Sequence, residues 1–89
     1  MKILLTTLEG SFYPVEVSSD IELINLKALC EQETNISAAQ MSISHFGKVL
    51  TDDSRTLESY SIKENDILMV QQMISKNVNL IFIIATKYL

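Results

Sequence analysis

Along most of this chain, apolar and polar residues alternate, then change period, then alternate again. Met1, Ile3 and Leu5 fall on one side of an extended segment over residues 1–7, with Lys2 and Thr6 on the other. Tyr13, Val15 and Val17 repeat the pattern, with Glu16 opposite them. A period of two at this length predicts half-buried strands. Between the two segments, Thr7-Leu8-Glu9-Gly10 supplies a turn, because glycine takes positive φ without a Cβ clash. Pro14 has no amide hydrogen to give to a ladder, so the second strand is expected at an edge of its sheet.

The period then lengthens. Leu23, Leu26 and Cys30 recur at i, i+3 and i+7, which predicts a helix over about Leu23–Glu33 with one apolar stripe and Leu29 at its margin. Ser19 and Glu22 have the spacing of a capping box, in which each side chain bonds the other's free amide. Ile36 resumes the core after Thr34-Asn35. Met41 and Ile43 predict a third strand, Leu50 a short fourth, and Ile67-Leu68-Met69-Val70 the last. The fold class is α+β: a mixed sheet with one helix packed across it, the β-grasp arrangement.

Two motifs narrow this reading. Gly47-Lys48-Val49-Leu50 and then Arg55-Thr56-Leu57-Glu58-Ser59-Tyr60-Ser61-Ile62 place a glycine turn, a short strand, a polar loop and a Tyr-x-Ile step in succession. This resembles the second half of a ubiquitin-like domain, as residues 1–17 resemble the first. The resemblance implies one ubiquitin-like domain over residues 1–72. The segment Ser19-Asp20-Ile21-Glu22-Leu23-Ile24-Asn25-Leu26-Lys27-Ala28-Leu29-Cys30-Glu31, with Ile43-x-His45, is similar to the N-terminal domain of the DNA-damage-inducible shuttle proteins. Members of that family join a ubiquitin-like domain to a retroviral-type aspartic protease domain. They deliver ubiquitinated proteins to the proteasome or process them near it.

The resemblance implies a docking module of a shuttle protein, with ubiquitin or proteasome subunits as partners and a cytoplasmic or nuclear setting. The alternative it leaves is an N-terminal fragment of an aspartic protease whose catalytic domain is absent from this chain. A retroviral-type protease needs an Asp-Ser/Thr-Gly loop so that two carboxylates share one proton. Asp52-Asp53-Ser54 comes nearest, but Arg55 follows it, so no enzyme activity is expected of these residues. Conjugated relatives end in Gly-Gly. Here Gln71-Gln72-Met73-Ile74-Ser75 follows the last strand, and attachment to substrates is not expected.

Laid on ubiquitin's recognition surface, Leu8, Gly47 and Lys48 match directly. Ser44 stands at the central isoleucine position, Gln71 at the valine position, and Met69 where ubiquitin has a histidine. The implied patch is thinned, with Leu8, Phe46 and Met69 as its apolar remainder. Losing two aliphatics removes about 1.5–3 kcal/mol each, enough to erase a micromolar contact with ordinary ubiquitin-receptor helices.

Composition adds exclusions. A net charge of −4 without a basic run speaks against a nucleic-acid phosphate track. Cys30 is the one cysteine, so no internal disulfide forms, which suits a reducing compartment; on the helix stripe it reads as a small buried hydrophobe. His45 has no partner at ligand spacing, and neither a metal nor another cofactor is expected. Glu22, Glu31, Glu33, Asp52, Asp53, Glu58, Glu64 and Asp66 are expected on exposed faces, where they favour solubility. As a fragment the chain is expected to be monomeric.

Residues 73–89 fit no part of the family pattern. Val78–Ala85 is apolar but far shorter than the ~20 residues that span a bilayer. The tail reads as a truncation or read-through product, the favoured view, or as an extra element packing on the domain.

Overall fold

The structure, a computed structural model, describes residues 1–73. The expected tail beyond Met73 lies outside the described residues. Strand β1 (Lys2–Thr7) pairs antiparallel with β2 (Phe12–Glu16), and helix α1 (Leu23–Thr34) follows. After a 3₁₀ turn at Ala38–Gln40 come β3 (Met41–His45) and β4 (Lys48–Val49). A second 3₁₀ turn, Glu58–Tyr60, precedes β5 (Ile67–Gln72). The sheet order is β2-β1-β5-β3-β4, with β1 and β5 parallel and the other pairs antiparallel. This is the mixed β-grasp sheet, and Pro14 does lie on an edge strand.

The alternation sends one side of every long strand into the core. Ile3, Leu5, Val15, Met41, Ile43, Leu68 and Val70 meet the helix stripe of Leu23, Leu26 and Cys30, with Leu50, Leu57 and Ile62 closing the end. Each such aliphatic contributes about 1.5–3 kcal/mol by leaving water. No polar or charged residue is buried with them among the described residues.

Three local expectations are corrected. The capping box does not form: Glu22 is the N-cap residue, in an extended conformation, with no side-chain capping bond. The amides of Leu23 and Ile24 instead donate to the Arg55 and Asp53 carbonyls, at 2.9 and 3.0 Å, so the long loop after β4 does the capping. Ser19 meets that loop through its carbonyl, which accepts from the Glu58 amide. The fourth strand is Lys48–Val49, and Leu50 follows it as a buried residue whose amide bonds the Ile43 carbonyl. Val17 lies one residue past the end of β2, although it packs in the core as expected. At the helix C-terminus, Asn35 takes the left-handed conformation (φ 62°) and its amide bonds the Glu31 carbonyl, a role Asn fills at low steric cost.

Candidate functional site: the outward face of the sheet

The same alternation turns the opposite side chains away from the helix. Register pairs Phe12 with Thr6, Thr6 with Met69, Met69 with Ser44, and Ser44 with Val49, one row across all five strands. A second row runs Pro14, Leu4, Ile67. Apolar side chains are exposed along both, Ile67 by 52% and Phe12 by 61%. Thr6, Ser44, Phe46, Gly47, Ile67 and Met69 line a shallow depression in this face.

The site residues expected from sequence divide between two places. Ser44, Phe46, Gly47 and Met69 share that depression, while Leu8 and Gln71 line another with Thr7, Glu9 and Ile36. Leu8 is 67% exposed, at the turn between β1 and β2. Lys48 begins β4 and is exposed; among the described residues it makes no ion pair and no side-chain hydrogen bond. Sequence reasoning missed Ile67, Phe12, Leu4 and Val49. Their signal was present, since Phe12, Leu4 and Ile67 sit out of phase with the buried positions of their own strands.

Phe46 has the most unusual surroundings. His45 and Lys48 are paired across the hairpin, and between them Phe46 (φ 51°) and Gly47 (φ 79°) both take positive φ. Positive φ at both central residues marks a type I′ turn, whose first position favours Asn, Asp or Gly. A bulky side chain there costs about 1–3 kcal/mol of backbone strain. The Phe46 ring is nonetheless 87% exposed, lying against the His45 ring at 4.4 Å between centroids.

His45 is itself held. Its Nε2 lies 2.9 Å from Asp66 Oδ2, which also accepts the Lys63 amide at 2.9 Å. The Lys63 amide, and then the His45 bond, hold the Asp66 carboxyl below its ordinary value. Asp66 is therefore half-buried and structural, in contrast to the exposed acids expected with it. Its carbonyl accepts the Leu4 amide at 2.9 Å, tying this chain of contacts to β1.

The rest of the domain offers little chemistry. Burial, with the nearby Glu33 charge adding to it, pushes the Cys30 thiol up to about 12, so it packs as a core residue and not as a thiolate. Among the described residues, no group of three His, Cys, Asp or Glu is placed to hold a metal ion. No helix among them is long and apolar enough to cross a membrane. What the outward face can do is bury apolar surface against another molecule.

Comparison with known proteins agrees with the architecture. The sequence model of the ubiquitin family matches residues 3–75. Protein DDI1 homolog 2 of Mus musculus and of Homo sapiens are each 40% identical over 60 residues, covering 67% of this chain and 15% of theirs. Protein DDI1 homolog 1 of Homo sapiens is 37% identical over the same extent of 60 residues. The chain thus spans a small part of the length of these relatives. With a mixed five-stranded sheet, one crossing helix and a family match over most of its length, the chain belongs to the ubiquitin family, its ubiquitin-like domain being similar to the N-terminal region of the DDI1 homologues.

Proposed function

We propose that this domain is a non-conjugated docking module of a ubiquitin/proteasome shuttle protein, and that its outward sheet face binds ubiquitin or proteasomal receptors. The observation that carries this is the set of exposed apolar side chains, Phe12, Val49, Ile67 and Phe46, on and beside a sheet face whose other side is already sealed by the helix. A solvated sheet face has no need of exposed Phe46, Ile67, Phe12 and Val49 together. The sequence after β5, from Met73 on, carries no Gly-Gly such as a conjugated relative has, which supports docking over attachment. A lone, reduced cysteine fits the cytoplasm or nucleus as its setting. Titrating isotope-labelled protein with ubiquitin and with proteasomal receptor fragments, while following amide shifts, tests the proposal. Shifts should cluster on β1, β3 and β5. Absence of any shift at millimolar partner refutes it.

A second reading follows from the short span this chain covers in its relatives, 15% of their length. In it, the domain is the N-terminal part of a longer aspartic protease and positions substrates for a catalytic domain outside this chain. An Asp-Ser/Thr-Gly loop encoded downstream in the same reading frame supports that reading, and its absence there counts against it.

A further inference from the structure

We propose that Ser59 is a phosphoacceptor, and that Arg55 receives its phosphate and so fastens the loop after β4 to the start of α1. This goes beyond the docking reading and stands apart from the outward face, whose depression neither residue lines. Ser59 lies exposed in the second 3₁₀ turn. Stacked 4.2 Å over the Tyr60 ring, the Arg55 guanidinium points its N–H groups at residue 59. Nε donates to Ser59 Oγ at 3.2 Å, and Nη2 to the Ser59 carbonyl at 2.6 Å. A guanidinium has further N–H groups to give. Among the described residues Arg55 has no carboxylate within ion-pair distance, although the chain holds 11 acids. Asp53, two residues before it, is committed to Lys27 at 2.9 Å. A fixed cation is thus aimed at a neutral hydroxyl.

A carboxylate at position 59 would pair with Arg55 permanently, whereas a serine makes the pairing conditional on modification. Phosphoserine carries roughly −1.5 to −2 charges at pH 7 and three acceptor oxygens, which suit the planar fork of a guanidinium. In the step itself, Ser59 Oγ attacks the γ-phosphorus of ATP held by a protein kinase. The Oγ–P bond forms as the bridging P–O bond to ADP breaks, and the hydroxyl proton passes to the kinase's base. Esterification removes the hydrogen that Oγ gives to the Thr56 carbonyl at 2.7 Å. One neutral bond is lost, and charge-assisted bonds of about twice its strength replace it. Glu58 alongside opposes the added charge, but it is exposed, so water and salt screen it. The position of Arg55 gives the phosphate its effect. Its carbonyl accepts the Leu23 amide at 2.9 Å, and the Glu58 amide bonds the Ser19 carbonyl at 3.0 Å. Holding Arg55 to residue 59 therefore holds the loop on the helix start.

The test uses the full 89-residue chain. Expressed in eukaryotic cells with phosphatases inhibited, it should yield a peptide that mass spectrometry shows phosphorylated on Ser59. A chain unmodified at that residue overturns the inference. The chain made with phosphoserine at position 59 should have a higher Tm than the unmodified chain. Its Leu23 and Ile24 amides should exchange about tenfold more slowly. Arg55→Gln keeps amide donors without the charge and should abolish both differences. Arg55→Lys keeps the charge without the fork and should retain part of them. A lowered Tm on phosphorylation, or an equal gain in Arg55→Gln, would equally overturn the inference.

Discussion

Replacing Ile67 by Ala separates the two sides of the sheet at a single strand. Ile67 faces outward, 52% exposed, beside Leu4 in register, while the next residue, Leu68, is fully buried. Truncation at 67 therefore leaves the core intact and removes apolar surface that only a partner could cover. Fully burying an isoleucine side chain is worth about 1.5–3 kcal/mol, so the exposed half sets a ceiling of about 0.8–1.5 kcal/mol on what a partner gains. At 1.4 kcal/mol per tenfold, affinity should fall about 4- to 12-fold. The fold should lose about 0.7–1.4 kcal/mol, the share of the side chain the domain itself already covers. Leu68→Ala, one residue away, should cost the fold about 2–5 kcal/mol. Denaturant unfolding gives the stabilities, and amide-shift titration with ubiquitin and receptor fragments gives the affinities. A loss of several kcal/mol for Ile67→Ala with unaltered affinity would show that the outward row belongs to the packing of the domain, and the assignment of the face would be wrong.

Leu26→Ala, at the centre of the helix stripe and wholly buried, should destabilise by about 2–5 kcal/mol, read as a lower denaturant midpoint with the partner-binding residues untouched. Cys30, buried and with its thiol pushed up to about 12, should react with an alkylating reagent only as fast as the domain unfolds, which mass spectrometry over a denaturant series would follow. Asp66→Asn should cost about 1 kcal/mol through weakened bonds to Lys63 and His45. Because the folded-state carboxyl lies below its ordinary value of 3.8, that difference should be complete well above this value and shrink as pH falls through the folded-state value. Stability curves for both proteins at neutral and strongly acidic pH check the sign.

Strand and helix were legible because their periods are simple. Ile3 and Leu5, or Leu23, Leu26 and Cys30, declare their faces by spacing, and all are buried. The capping box misled because Ser19 and Glu22 have the right separation, while the helix starts at Leu23 and its first amides, Leu23 and Ile24, are met by carbonyls about thirty residues away in the chain, which no local motif encodes. The candidate site was half legible. Ser44, Phe46, Gly47 and Met69 could be aligned with a known surface, and they do adjoin one depression. Ile67 and Phe12 could not be aligned in that way, since their importance comes from register with strands distant in sequence. The strain at Phe46 was not legible at all: a Phe-Gly pair does not announce a turn in which both residues take positive φ.

The borrowed capping of α1 has a consequence for how this domain opens. The first amides of the helix are closed by Arg55 and Asp53, and Leu57 and Glu58 donate back to Ile21 and Ser19. Helix start and loop thus form a closed ring of backbone bonds, in which neither side keeps its partners if the other leaves. Such a loop cannot breathe alone as most surface loops do. Amide exchange at Leu23, Ile24, Leu57 and Glu58 is bound to a shared opening event, although the loop between Thr51 and Arg55 is solvent-exposed throughout. The irregular half of the molecule is in this respect as cooperative as its sheet.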